Sequence, residues 1–295
     1  MYKRLKALLM TVIFLGAAVV TNQNMSAESV TVPDGWLLWH SYTSYSAMDS
    51  QLFVRDPDGE TTEIKGNFIH AMNGNFGDRP DKIVFMAIDP NADEWDIFVS
   101  DNGKIKNLTE KSGYRNEDPK WSPDGKSIVF KRGYWNPAVD DFTYDLALLD
   151  AETLEVTMIT DDHAEEAMPY FSEDGKYIYY TAYKGKNGSV ARMNISDKSV
   201  ETLFKEERVN AYYPVYKNGV LYFTRWISSE DHHDEIVQMK DGVIQIAEFN
   251  SEKYDCSDAC PVEDGKMIYS STANGAYSLY YFNGIESVEI PGVDS

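Results

Sequence analysis

The 295-residue sequence holds only two cysteines and five histidines. A structural zinc site calls for more thiolates, or for histidines at ligand spacing, so no metal centre is expected. No glycine-rich phosphate loop and no short nucleophile motif is present either, which leaves phosphoryl transfer and nucleophilic catalysis without a sequence handle. Apolar runs are short: the longest, residues 7–20, covers fourteen positions, against the ~20 that span a bilayer. Positive charge is scarce, with 27 Lys and Arg against 48 Asp and Glu and a formal charge of −21. Without a basic stripe the chain offers nothing to nucleic acid or to anionic lipid.

That apolar run sits behind Lys3, Arg4 and Lys6 and ahead of the small-residue stretch Met25-Ser26-Ala27, the layout of a secretory leader cleaved after residue 27. No cysteine stands near the cleavage site, which speaks against a lipid anchor. The expected mature chain, residues 28–295, is periplasmic or extracellular and not stably inserted in a membrane. It carries 24 basic and 48 acidic residues, a formal charge of −24. No cofactor is implied, and calcium is the candidate cation, because it would reverse so negative a field for a polyanionic ligand.

The rest of the chain is organised by a repeat. Residues 116–130, NEDPKWSPDGKSIVF, read as a short strand, a tight Pro-Asp-Gly turn and an apolar strand. The pattern returns at 167–182, 211–225 and 258–271, with two degraded copies starting at Ser29 and Arg79. Anchor positions 35, 82, 125, 175, 219 and 265 lie 47, 43, 50, 44 and 46 residues apart, the length of one propeller blade. Short runs rich in Val, Ile, Tyr, Phe and Trp, separated by DPDG, DNGK, SDKS and KDG turns, leave little room for helix. The expected fold is all-β: one six-bladed β-propeller of four-stranded antiparallel blades over residues 28–295. Its first strand is expected at 28–32 and its last at 287–290, so the ring closes without exchanging a strand.

The Ser-Pro-Asp-Gly-Lys turn after Pro119 and Trp121 resembles the TolB-type propeller repeat, and Asp96 to Thr109 is similar to that repeat's third strand, turn and fourth strand. This resemblance implies the fold. It leaves function open, because binding proteins, peptidase gating domains and polysaccharide lyases all use the repeat.

With strands A to D running outward from the axis, the A–B and C–D turns share one face and the B–C and D–A loops the other. Irregular sequence gathers on the second face, at 41–50, 88–95, 133–144 and 226–234, where function is expected. All five histidines belong there: His40 ending a B strand, His70 and His163 in D–A connections, His232 and His233 in a B–C loop.

Comparing copies separates architecture from chemistry. The residues opening strand C are Gln51, Asp96, Asp145, Ser189, Glu235 and Ser278, polar in every blade and so read as turn caps. Those just after strand B are Ser41, Ala87, Arg132, Ala182, Arg225 and Ser271. The two arginines depart from the column. They are expected to share a cavity near Glu166 and to hold a carboxylate, unless an acid such as Asp140 or Glu166 pairs with them. Trp135, Tyr212 and Trp226 add flat apolar surface for a sugar ring or a peptide side chain. With His40, His70 and His232 these complete the candidate ligand site. Cys256 and Cys260 are read as a disulfide closing a small loop.

Two functions follow. The chain is an exported propeller that holds a peptide segment of an envelope or extracellular protein, or a glycan, at the mouth of its axial channel. Alternatively it is a secreted carbohydrate-active enzyme, a polysaccharide lyase or glycosidase, with its site on the same face.

Overall fold

The structure, a computed structural model, describes Val32 and residues 34–294 apart from 92–93, 139, 162–164, 185–186, 228–232 and 264. The expected first strand at 28–32, His163, His232 and Pro33 therefore lie outside the described residues, Val32 excepted.

The described chain is a ring of six antiparallel sheets taken in sequence order. Blade 1 shows three strands, β1 (Leu37–Ser41), β2 (Gln51–Arg55) and β3 (Thr61–Glu63). Blade 2 is β4 (Ile69–Phe76), β5 (Lys82–Ile88), β6 (Trp95–Asp101) and β7 (Lys104–Asn107). Blade 3 is β8 (Arg115–Trp121), β9 (Ser127–Asn136), β10 (Asp141–Asp150) and β11 (Val156–Met158). Blade 4 is β12 (Glu165–Phe171), β13 (Tyr177–Lys184), β14 (Asn187–Asn194) and β15 (Val200–Phe204). Blade 5 is β16 (Val209–Lys217), β17 (Val220–Ile227), β18 (Glu235–Lys240) and β19 (Val243–Ile246). Blade 6 is β20 (Cys256–Pro261), β21 (Met267–Ser271), β22 (Ser278–Phe282) and β23 (Ser287–Asp294). Its four strands are consecutive, and β23 runs four residues beyond the predicted end. The first strands of blades 2 to 6 contact one another in turn, which places them around the axis.

Hydrophobic cores lie as slabs between neighbouring blades. Val129 and Leu146 of blade 3 pack with Ile178 and Tyr180 of blade 4, and Tyr179 and Val190 of blade 4 pack with Phe223 and Val237 of blade 5. Strand alternation sends one set of side chains to each neighbour, so each blade is buried on both faces.

Every described inner strand carries the same irregularity. Its pairing slips around Asn73-Gly74, Asp118-Pro119, Met168-Pro169, Tyr213-Pro214 and Asp258-Ala259. The first residue of each pair has φ between 51° and 56°, a left-handed conformation that costs a non-glycine residue about 1 kcal/mol. The bulge explains the prolines: at a step outside the ladder, no strand hydrogen bond is lost.

The A–B turns follow one another around one face. A Cβ on Gly125 would sit 3.7 Å from Asp78 of blade 2, one on Gly175 3.9 Å from Pro123 of blade 3. The backbone N–H of Asn218 in blade 5 donates to Glu173 of blade 4 at 2.9 Å. Gly125, Gly175, Gly219 and Gly265 all take positive φ, which is why the repeat keeps glycine there.

Candidate functional site

The bulges turn side chains of the inner strands into the ring. Lys120 of blade 3 and Asp258 of blade 6, on opposite blades, feel each other's charge across the axis. Burial lowers the Lys120 ammonium pKa, opposed by Asp118 and Asp258, and burial raises that of the Asp258 carboxyl. Asp258 and Cys260 keep exposed surface although they are enclosed by the ring, so the water they meet is that of an axial channel. Tyr170 of blade 4 stands within electrostatic reach of Cys260, and burial pushes its phenol up to about 12.

At the B–C/D–A end the channel opens among acids and tyrosines. Tyr212 is pushed up by burial and by its hydrogen bond to Asp234, and it senses Asp258 and Tyr277. Tyr277, 37% exposed, is raised by burial and by Asp255, Asp234 and Asp258, with Tyr42 of blade 1 nearby. The Asp234 N–H donates to Asp255 at 2.9 Å, tying blade 5 to blade 6. Asp255, Asp258, Tyr42, Tyr212 and Tyr277 thus cluster at this end over blades 5, 6 and 1, with the buried Asp234 beneath them.

Residues 133–144, expected as a loop, are mostly strand: β9 and β10 run ten residues each and pair to their tips, Asp141 opposite Asn136. Their hairpin presents Trp135, 53% exposed, edge-on to Phe142 at 5.6 Å. Below it, the Arg115 guanidinium lies 3.9 Å from the Phe142 ring and donates to Glu94 at 2.7 Å. Lys131 Nζ reaches Glu117 at 2.9 Å and Asp118 at 3.8 Å, while the Asn73 amide donates to Asp118 at 2.6 Å. Despite burial, Asp118 and Glu117 hold Lys131 well above its usual range.

The two aligned columns of the repeat prove to be cross-strand partners. Gln51 pairs with Ser41, Asp96 with Ala87, Asp145 with Arg132, Ser189 with Ala182, Glu235 with Arg225 and Ser278 with Ser271. Arg225 uses that register to ion-pair with Glu235 at 2.7 Å, both side chains largely buried. Arg132 donates to Asn116 at 2.9 Å and lies 4.7 Å from the Tyr114 ring, at the boundary of blades 2 and 3. Among the described contacts the two arginines have separate partners, Asn116 for Arg132 and Glu235 for Arg225. Glu166 is buried and accepts from Thr160 Oγ1 at 2.8 Å. Asp96 is the cap that repeat comparison predicts, accepting from Thr109 at 2.6 Å and from Asn107 at 2.9 Å.

His40 and His70 do come together. Burial, then His70 and Lys120, hold the His40 imidazole at about 4. His70 lies within β4 rather than in a connection, is lowered by burial, and accepts the Ser50 N–H on Nδ1 at 3.2 Å. Trp226 is half-buried in β17, opposite Asn210. The disulfide is a correction: both cysteines are free. Cys256 and Cys260 stand four residues apart on one strand, roughly 10–13 Å along an extended chain, beyond the ~7 Å limit for bridging Cα atoms. Cys256 is buried against Phe249 and Ser271, and Cys260 faces the channel. Among the described residues no group of three His, Cys, Asp or Glu side chains is arranged for a metal ion, and no helix is long and apolar enough to cross a membrane.

Sequence reasoning missed Lys120 and Asp258, and assigned Cys260 to a disulfide. Aligned on the left-handed bulge residue, the inner strands read Asn73, Asp118, Met168, Tyr213 and Asp258, and two residues on Asn75, Lys120, Tyr170, Val215 and Cys260. Such variation is unexpected in strands that only build the ring.

The opposite face holds two grooves at equivalent places. One, about 420 Å³, lies between blades 3 and 4 and is lined by Pro123, Asp124, Phe171, Glu173 and Asp174 among others. The other, about 690 Å³, lies between blades 5 and 6 and is lined by Lys217, Tyr222, Gln238, Lys240 and Pro261 among others.

Solved structures share this architecture. TolB from Acinetobacter baumannii superposes with a TM-score of 0.66 at 16% identity, over 88% of this chain and 65% of that one. The fold is a TolB-type propeller. A TolB-type ring also matches a putative TolB from Agrobacterium tumefaciens, with a TM-score of 0.56 at 15% identity over 71% of this chain and 80% of that one. Oligogalacturonate lyase from Vibrio parahaemolyticus matches with a TM-score of 0.60 at 12% identity, over 88% of this chain and 79% of that one. At such identities the likeness is one of fold, and the chain spans just under two thirds of the Acinetobacter protein. No family model and no curated protein sequence matches.

Proposed function

We propose that this chain is an exported TolB-type propeller that binds a basic segment of another protein at the B–C/D–A mouth of its channel. The observation that carries the reading is the mouth's chemistry: Asp255 and Asp258 set among Tyr42, Tyr212 and Tyr277, with the buried Asp234 beneath them. Carboxylates attract Lys and Arg side chains, and phenol rings accept a cation on their faces. The exposed Trp135 on the blade 3 hairpin adds flat apolar surface at the same end. A uronate glycan would meet repulsion there, and the arginines that would neutralise its carboxylate are engaged with Glu235 and Asn116. This ranks a protein segment above a glycan and binding above lyase chemistry. Export rests on the leader-like residues 1–27 and on the fold shared with TolB proteins.

The test is a titration of fluorescein-labelled Gly-Lys-Pro-Arg-Tyr-Gly beside trigalacturonate. The basic peptide should bind, and Asp258→Asn should weaken it by about tenfold, the loss of one charge-assisted contact of ~1.4 kcal/mol. Trigalacturonate binding more tightly, or releasing unsaturated product absorbing in the ultraviolet, would overturn the reading in favour of a lyase.

A further inference from the structure

We infer a second docking surface on the opposite face: the groove between blades 5 and 6, with the outer strand β19, takes an acidic, partly apolar extended segment of a partner protein. The groove has a floor of Tyr222 and Pro261 and a wall of Lys217, Gln238 and Lys240. In a chain with 48 acidic and 27 basic residues, two lysines against one acid, Glu263, among the described lining residues are a local excess of positive charge. Lys217 is committed only to Glu173, at 3.1 Å and with both side chains well exposed, a pair that a ligand carboxylate can exchange with at little cost. No described carboxylate forms an ion pair with Lys240.

The edge beside the groove is the second observation. Exposed edge strands are ordinarily guarded by charge or proline against pairing with other chains. Here β3 carries Glu63, β7 carries Lys104 and Lys106, β15 carries Glu201, and β23 carries Glu289 and Pro291. The three residues of β11 are uncharged but follow Glu155. By contrast β19 reads Val-Ile-Gln-Ile, all four exposed. Its register puts Val243 opposite Lys240 and Gln245 opposite Gln238, so Val243, 61% exposed, stands on the groove side of the blade. An incoming strand paired to β19 thus meets main-chain donors and acceptors, apolar side chains and, on the next strand in, the Lys240 ammonium. That is the chemistry of an added β-strand whose side chains alternate between apolar and carboxylate. A second copy of this acidic chain is disfavoured by its own net charge.

The test is fluorescence anisotropy with labelled Gly-Asp-Val-Glu-Leu-Asp-Gly and its Asn/Gln counterpart. The acidic peptide should bind saturably and the neutral one about tenfold or more weaker. Lys240→Glu should weaken the acidic peptide at least about tenfold, whereas Asp124→Asn in the groove between blades 3 and 4 should change nothing. The melting temperature of Lys240→Glu should match the wild type, since the Lys240 side chain is exposed. Absence of saturable binding, equal binding of the two peptides, or indifference to Lys240→Glu would each overturn the inference. So would displacement of the peptide by trigalacturonate at equal concentration, or a dimer in sedimentation velocity that Val243→Lys dissolves.

Discussion

The grooves between blades 3 and 4 and between blades 5 and 6 are one architectural feature with opposite chemistry. Each is bounded by the A–B turns of two successive blades, and in each the turn glycine takes positive φ. Among the described residues the first is lined by three carboxylates, Asp124, Glu173 and Asp174, and by no lysine; the second by Lys217 and Lys240 against one acid, Glu263. Phe171 on the floor of the first belongs to the core, as does Tyr222 on the floor of the second, whereas Pro261 beside Tyr222 is only half-buried. A repeat therefore fixes where a groove is, and the residues that the repeat leaves free decide what it attracts.

The sharpest way to break this comparison is through the floors. Phe171→Ala should cost about 3–5 kcal/mol in urea unfolding, while Pro261→Ala should cost about 1 kcal/mol or less. Equal losses would mean that Pro261 is as structural as Phe171. The turns should behave alike: Gly175→Ala and Gly219→Ala, at φ 69° and 78°, should each destabilise by about 1 kcal/mol, for an added Cβ finds no contact closer than 3.9 Å at either. A large difference in those two thermal melts would show that the grooves are not equivalent. Smaller still is the pair joining the regions, where Glu173→Gln should change stability by about 0–1 kcal/mol because both partners are exposed.

The smallest effect is in pH. Hydrogen bonds from Ser122 and the Lys126 backbone hold Asp124 below its usual range, and Ser172 with the Lys176 backbone does the same for Asp174. A depressed folded pKa contributes stability above the unfolded value near 4, lost as pH falls through the folded one. Ser122→Ala should therefore raise the Asp124 titration midpoint, read by carboxyl ¹³C NMR, and leave the other groove unmoved. A midpoint that stays put would remove the hydroxyl from the account.

Much of the ring was legible from spacing. Glycines at 125, 175, 219 and 265 mark a turn that only a residue free of Cβ strain enters cheaply, so their period counts blades. The columns expected after strand B and opening strand C fall opposite each other in every blade, because register follows from the same turns, but the first lies within its strand. Reading them one at a time hid their relation, though: Glu235, set aside as a cap, neutralises Arg225 directly across the ladder. The cysteine loop failed for a similar reason. Proximity in sequence suggests a bridge, but the strand keeps Cys256 and Cys260 apart, and the bulge between them turns one to a core and the other to a channel. Likewise the irregular composition of 133–144 concealed a hairpin whose strands continue past the blade.

What the sequence determined by itself is the part written by local rules. Turn glycines, alternating apolar runs and a 43–50 residue period specify blades, their number and the faces of their turns, since each depends on neighbours within a few residues. Tertiary structure alone decided what meets across the ring. Lys120 and Asp258, 138 positions apart, share the axis because blades 3 and 6 stand opposite, and a lysine groove exists because blades 5 and 6 leave one open. Charge acts through space, and closure of the ring sets those distances.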